Sequence, residues 1–180
     1  MEVMQKAFLL NLDYPVTSVK APAVPAIARQ PKLIWVDTGI MNFSVDIQAE
    51  YLQGNSLLDV WKGHAAEQIV AQELRIVLDR NFRNEQYFWV RDKKGSSAEV
   101  DFVWQHHSQI LPIEVKSGTN AHLRSLHSFM SQPDAPSIAI RIWPGEYSID
   151  KVVSPTGHPF HLINLPFYYV GMLDKILEMV

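Results

Sequence analysis

Residues 99–118, EVDFVWQHHSQILPIEVKSG, hold two runs of β-branched and aromatic residues separated by HHSQ. Runs of that kind joined by a short polar tip predict an antiparallel hairpin. Side chains alternate faces along a strand. Glu99, Asp101 and Val103 are therefore expected on one face and Val100, Phe102 and Trp104 on the other, with Glu114 and Lys116 sharing a face opposite Ile113 and Val115. A turn at HHSQ, or at its central pair His107 and Ser108, makes the numbers of facing residues sum to 215, so that Asp101 faces Glu114 and Glu99 faces Lys116. A slip of one residue would send the polar set to the other face.

Opposed like charges on paired strands are destabilising, within the ~0.2–1 kcal/mol scale of cross-strand pairs. A hard divalent cation offsets such repulsion, since Mg²⁺ takes oxygen ligands, commonly one or two carboxylates with waters and phosphate oxygens completing the shell. Lys116 would stand beside that metal, where an ammonium orients a water or stabilises charge developing on a phosphoryl oxygen. Two acids and a lysine so spaced suit metal-assisted phosphodiester hydrolysis. The competing reading is a solvated sheet face on which Glu99 pairs with Lys116 and the other acids meet water.

Residues 59–82, DVWKGHAAEQIVAQELRIVLDRNF, place Ala66, Val70, Leu74, Val77 and Leu78 at helical spacing and predict a long amphipathic helix. Glu67 borders its apolar stripe and would supply a third carboxylate. Glu73 competes for that role, periodicity does not decide between them, and a plain surface glutamate is the alternative for either.

Elsewhere, KLIWVDTGI (32–40) predicts a short strand ending in a turn at Asp37 and Gly39, residues 41–58 mix short helix with loop, EQYFWVRD is an aromatic strand and KKGSS a turn. A helix over 122–131 follows, then SIAIRIW and GEYSIDKVV as strands, HPFHLINLP as a loop or short strand, and FYYVGMLDKILEMV as a terminal helix. Its apolar stripe reads as core; an exposed stripe is the alternative, giving a contact for a second copy in a homo-oligomer. Helix, three meandering strands, helix and strand make an α/β order with a mixed sheet. Four of the 11 prolines lie between Tyr14 and Pro31, so residues 1–31 read as a proline-rich arm or the remnant of a preceding domain, or equally as a strap over the core, and residues 32–180 as the α/β domain.

With 16 Lys and Arg against 19 Asp and Glu the net charge is −3, so a nucleic acid would have to be met by a local patch. Arg91, Lys93 and Lys94, with Arg124, form one candidate; ordinary solvated charge is the alternative. The absence of cysteine removes disulfides and thiolate metal sites and fits a reducing compartment. No apolar run has the length of a secretory signal or a membrane span, so a cytoplasmic chain with no membrane partner is expected. His106 and His107 sit at the hairpin tip and, as adjacent residues, are expected to point apart. His122 and His127, five apart, do not share a helix face and receive no role, and His158 and His161 read as surface or core groups.

Asp101, then IEVK with Glu114 and Lys116, after a helix bearing a glutamate, resembles the PD-(D/E)XK nuclease superfamily. The closer likeness is to the C-terminal domain of unknown function that follows the ATPase and winged-helix domains in AAA-type ATPases of bacteria and archaea. It is carried by PKLIWVDTGI, KGHAAEQIVAQEL, YFWVRD, AEVDFV and PIEVKSG, between residues 31 and 118. The resemblance implies a restriction-endonuclease-like core, with Glu67 as helix carboxylate, Asp101 and Glu114 as the metal-binding pair and Lys116 as catalytic lysine. It further implies Mg²⁺ or Mn²⁺ as cofactor, DNA or RNA as substrate, and an AAA-type ATPase domain or chain as partner. A non-catalytic regulatory or interaction module of such an ATPase, retaining the fold, is the second expectation. Val100 stands where the superfamily usually has a proline before the aspartate. No segment reads G-x-x-x-x-G-K-[ST], so no nucleotide site of the P-loop kind is expected in this chain; either the ATPase has been cut away, or this is a lone copy whose proline-rich arm marks where one would join.

Overall fold

The residues spaced three and four apart along the predicted helix are all buried in one cluster: Ala66, Val70, Leu74, Val77 and Leu78, joined by Ala71. In the computed structural model, which describes residues 2–46, 59–80, 85–92, 98–118 and 122–180, they form the stripe of a 22-residue helix, α3 (Asp59–Arg80). The other elements are α1 (Glu2–Lys6), β1 (Leu10–Val16), β2 (Lys32–Trp35), α2 (Thr38–Ser44), β3 (Tyr87–Val90), β4 (Glu99–His106) and β5 (Gln109–Val115). After these come α4 (Arg124–Met130), β6 (Ile138–Trp143), β7 (Ser148–Val153), β8 (Pro159–Pro166), a 3₁₀ segment (Phe167–Met172) and α5 (Leu173–Glu178).

The strands make an eight-stranded mixed sheet in the order β2-β1-β3-β4-β5-β6-β8-β7. β5, β6 and β8 run parallel in its middle. Strands covered on both faces read as continuous apolar runs, and β5 is buried from Ile110 to Val115. On one face α3, the 3₁₀ segment and α5 pack on Phe102, Trp104, Leu111, Ile113, Ile140 and Ile163. On the other, Leu126, Phe129 and Met130 of α4 pack on Val100, Val103, Ile110 and Leu162. The fold is thus α/β, a mixed sheet flanked by helices. Among the described residues no helix is long and apolar enough to cross a membrane.

Four local expectations change. Residues 159–166 are a full strand, because Phe160 and Leu162 to Leu165 are buried and the two prolines occupy the strand ends, where little ladder bonding is lost. The strand from Lys32 stops at Trp35; Asp37 then caps α2, its Oδ1 accepting the N–H groups of Gly39 and Ile40 at 2.7 and 3.1 Å. The terminal helix opens as a 3₁₀ segment whose Gly171 passes close to α3, where a Cβ would lie 3.2 Å from a Glu73 carboxylate oxygen. Residues 10–16, within the proline-rich stretch, are a strand of the sheet, antiparallel to β2 and parallel to β3. The KKGSS turn and residues 47–58 lie outside the described residues.

Candidate functional site

The hairpin has the register its turn predicts. Phe102, Val103, Trp104, Gln105 and His106 pair with Ile113, Pro112, Leu111, Ile110 and Gln109, every pair summing to 215. His107 turns the chain with φ +51, as a two-residue hairpin loop requires. That backbone also brings the His106 and His107 rings to 4.2 Å, edge to face, where diverging neighbours were expected.

Facing pairs stop at Phe102 and Ile113, and there the sheet departs from simple alternation. Tyr87 pairs with Val103 but Trp89 with Val100, so β4 carries one extra residue, a bulge, around Asp101. As a result Val103 packs with Val100 on the α4 face instead of sharing a face with Asp101. In place of a backbone carbonyl, Asp101 Oδ2 accepts the N–H of Val115 at 2.7 Å, which holds the carboxylate against β5 beside Glu114.

Glu114 is 4% exposed. Its Oε1 accepts from Lys116 Nζ at 2.7 Å, while Oε2 is buried with no hydrogen-bond partner among the described residues. Burial pushes its pKa up to about 7, repulsion from Asp101 adds to the rise, and Lys116 opposes it. Asp101 is raised too, chiefly by burial, against the pull of Lys32 and the Val115 N–H.

Lys32, which had no role in the sequence reading, stands among the acids. Its Nζ lies 2.7 Å from Glu99, 3.8 Å from Glu67 and 4.0 Å from Asp101, and 4.9 Å from the centre of the Phe88 ring. Burial pulls its pKa down, but Asp101, Glu99 and Glu67 together hold it above its ordinary value. Glu67 is raised to about 7, by burial first and then by Asp101, with Lys32 opposing. The signal for Lys32 was present: it opens a strand two residues before buried Ile34 and so shares its inward face.

A buried amide fixes how α3 meets β2. Gln68, next to Glu67, accepts the N–H of Trp35 at 3.1 Å and donates to its carbonyl at 2.5 Å. Cavities of about 440 and 460 Å³ open beside the cluster, both lined by Lys32 and Glu99.

Glu67 and Asp101 therefore meet around Lys32, and Glu114 and Lys116 lie beside Asp101. Glu73 belongs to the 3₁₀ contact instead. The Glu99–Lys116 ion pair of the competing solvated-face reading does not form: Glu99 takes Lys32 and Lys116 takes Glu114. Among the described residues no group of three or more His, Asp or Glu side chains converges tightly enough to hold a metal ion as placed. The donors nonetheless have the right chemistry for a hard cation: oxygen only, raised in pKa, with one buried oxygen unpartnered. Arg91 and Arg124 line one cavity; Lys93 and Lys94 lie outside the described residues.

A family model described as a domain of unknown function, DUF4143, matches residues 62–161, which include α3 from Lys62 on, the hairpin and α4. No match to the chain was found among curated proteins or among solved structures.

Proposed function

The chain belongs to the DUF4143 family, and we propose that Glu67, Asp101, Glu114 and Lys116 form a Mg²⁺- or Mn²⁺-dependent site that hydrolyses phosphodiester bonds in DNA or RNA. The observation that carries this reading is Glu114 Oε2, buried with no hydrogen-bond partner among the described residues, in a carboxyl whose pKa is pushed up by burial first and then by Asp101. A buried anion in that setting is costly unless a cation completes its environment. Asp101, Glu114 and Glu67 would hold the metal, which supplies Lewis-acid polarisation of a phosphoryl oxygen and a more acidic water. Asp101 is oriented for this by the Val115 N–H. Lys116, anchored on Glu114, offers an ammonium to negative charge developing on the phosphate. Association with an AAA-type ATPase is part of the proposal and rests on the likeness drawn from the sequence.

One observation favours a second reading. Lys32 and Lys116 already neutralise much of the cluster, as they would in a non-catalytic module that keeps the fold and docks on an ATPase. Calorimetric titration of Mg²⁺ and Mn²⁺ into the wild type and Asp101→Ala separates the two. The nuclease reading expects saturable binding that the substitution weakens at least about tenfold, the loss of one charged ligand contact. Absent binding, or equal binding in both proteins, supports the module.

A further inference from the structure

The cavity beside α4 is larger than those at the carboxylates, about 820 Å³ against about 440 and 460 Å³. It lies on the layer opposite α3, and among the described residues that line it there is no Asp or Glu. Leu126, Phe129 and Met130 turn one side of α4 to the sheet. The other side, Arg124, His127, Ser128 and Ser131, lines the cavity, at the steps of three and four residues that make one helix stripe. Arg91 joins from the end of β3 and His122 from just before α4.

Among the described residues neither Arg91 nor Arg124 makes an ion pair, and His127 Nδ1 and Ser128 Oγ are buried without hydrogen-bond partners. Two guanidiniums from different elements, without ion pairs among the described residues and in a lining that holds no carboxylate, match a group with several acceptor oxygens and net negative charge. Leu123 and Val153 add apolar wall, and the volume falls in the ~300–1,000 Å³ range of small-ligand sites.

We propose that this cavity binds a phosphate-bearing ligand through Arg91 and Arg124, without a P-loop and independently of any activity at the carboxylate cluster. The phosphate is that of a free nucleotide or of a nucleic-acid backbone, and the probes below tell the two apart. Inorganic phosphate, a nucleoside monophosphate and short single- and double-stranded oligonucleotides are titrated into the full chain at low salt. EDTA is present throughout, so that no metal at the carboxylates contributes.

Arg124 is exposed, so Arg124→Ala and Arg124→Glu are expected to keep the wild-type melting profile, with Arg91→Ala as an independent variant and exposed Lys175→Ala as a charge-matched control. The expected result is a loss of affinity of at least about tenfold in Arg124→Ala and Arg91→Ala, larger in Arg124→Glu, and none in Lys175→Ala. Binding of the monophosphate identifies a nucleotide site. Binding of oligonucleotides alone, with a salt dependence shallower by about one unit in Arg124→Ala, identifies backbone phosphate. The proposal is overturned if no probe binds the wild type, or if Arg124→Glu binds as the wild type does.

Discussion

An ammonium 2.7–4.0 Å from three carboxylates is their counter-ion, so Lys32 would compete with the proposed divalent cation for Glu67 and Asp101. Lys32→Met keeps the stem near Phe88 and removes the charge. By calorimetry its Mg²⁺ affinity is expected to rise about tenfold, roughly 1.4 kcal/mol; unchanged or weaker affinity would mean that the ammonium assists the metal. Asp13, 2% exposed and the cross-strand neighbour of Lys32, gives a pH test on a carboxyl outside the proposed ligand set. Burial raises its pKa from 3.8 to about 7 against the pull of Arg75 and Lys32. The folded chain therefore binds this proton more tightly than the unfolded one. The stability it contributes is full below 3.8 and is lost as pH rises through about 7. In Asp13→Asn that loss should vanish, so melting curves should show the variant gaining on the wild type as pH rises across the window. Parallel profiles would contradict the shift.

At the scale of elements, the Gln68 bridge to Trp35 ties α3 to β2, and with them Glu67 to Lys32. Gln68→Ala leaves a backbone N–H and a carbonyl without these partners and should cost about 1–3 kcal/mol in urea unfolding. It should also weaken metal binding more than a surface change such as Lys175→Ala. A Gln68→Ala protein as stable as the wild type would show the bridge to be incidental. The sequence made α3 legible because its stripe has the period of a helix, and the hairpin register because turn length and alternation agree. It hid β1 and left β8 between loop and short strand, where prolines masked strands that tertiary burial stabilises. The bulge at Asp101 was invisible as well, since an extra residue shows only against the partner strand, and it is what parts Val103 from Asp101. Lys32 was missed for a related reason: its acidic neighbours come from β4 and α3, distant in sequence.

Across the whole molecule, helices cover both faces of the sheet: on the α3 side lies the acid cluster around Lys32, and on the α4 side a cavity lined by two guanidiniums that make no ion pair among the described residues. A net charge of −3 gives little long-range attraction for a polyanion, so any nucleic-acid affinity must be local and should fall steeply with added salt. The direct test of the central claim is cleavage of labelled single- and double-stranded DNA and RNA with Mg²⁺ or Mn²⁺. Wild type, Asp101→Ala, Glu114→Ala and Lys116→Ala are purified alike. The expected result is metal-dependent cleavage by the wild type that EDTA stops and each substitution lowers by at least about a hundredfold. No cleavage by the wild type, or cleavage that survives Glu114→Ala and Lys116→Ala, would contradict it.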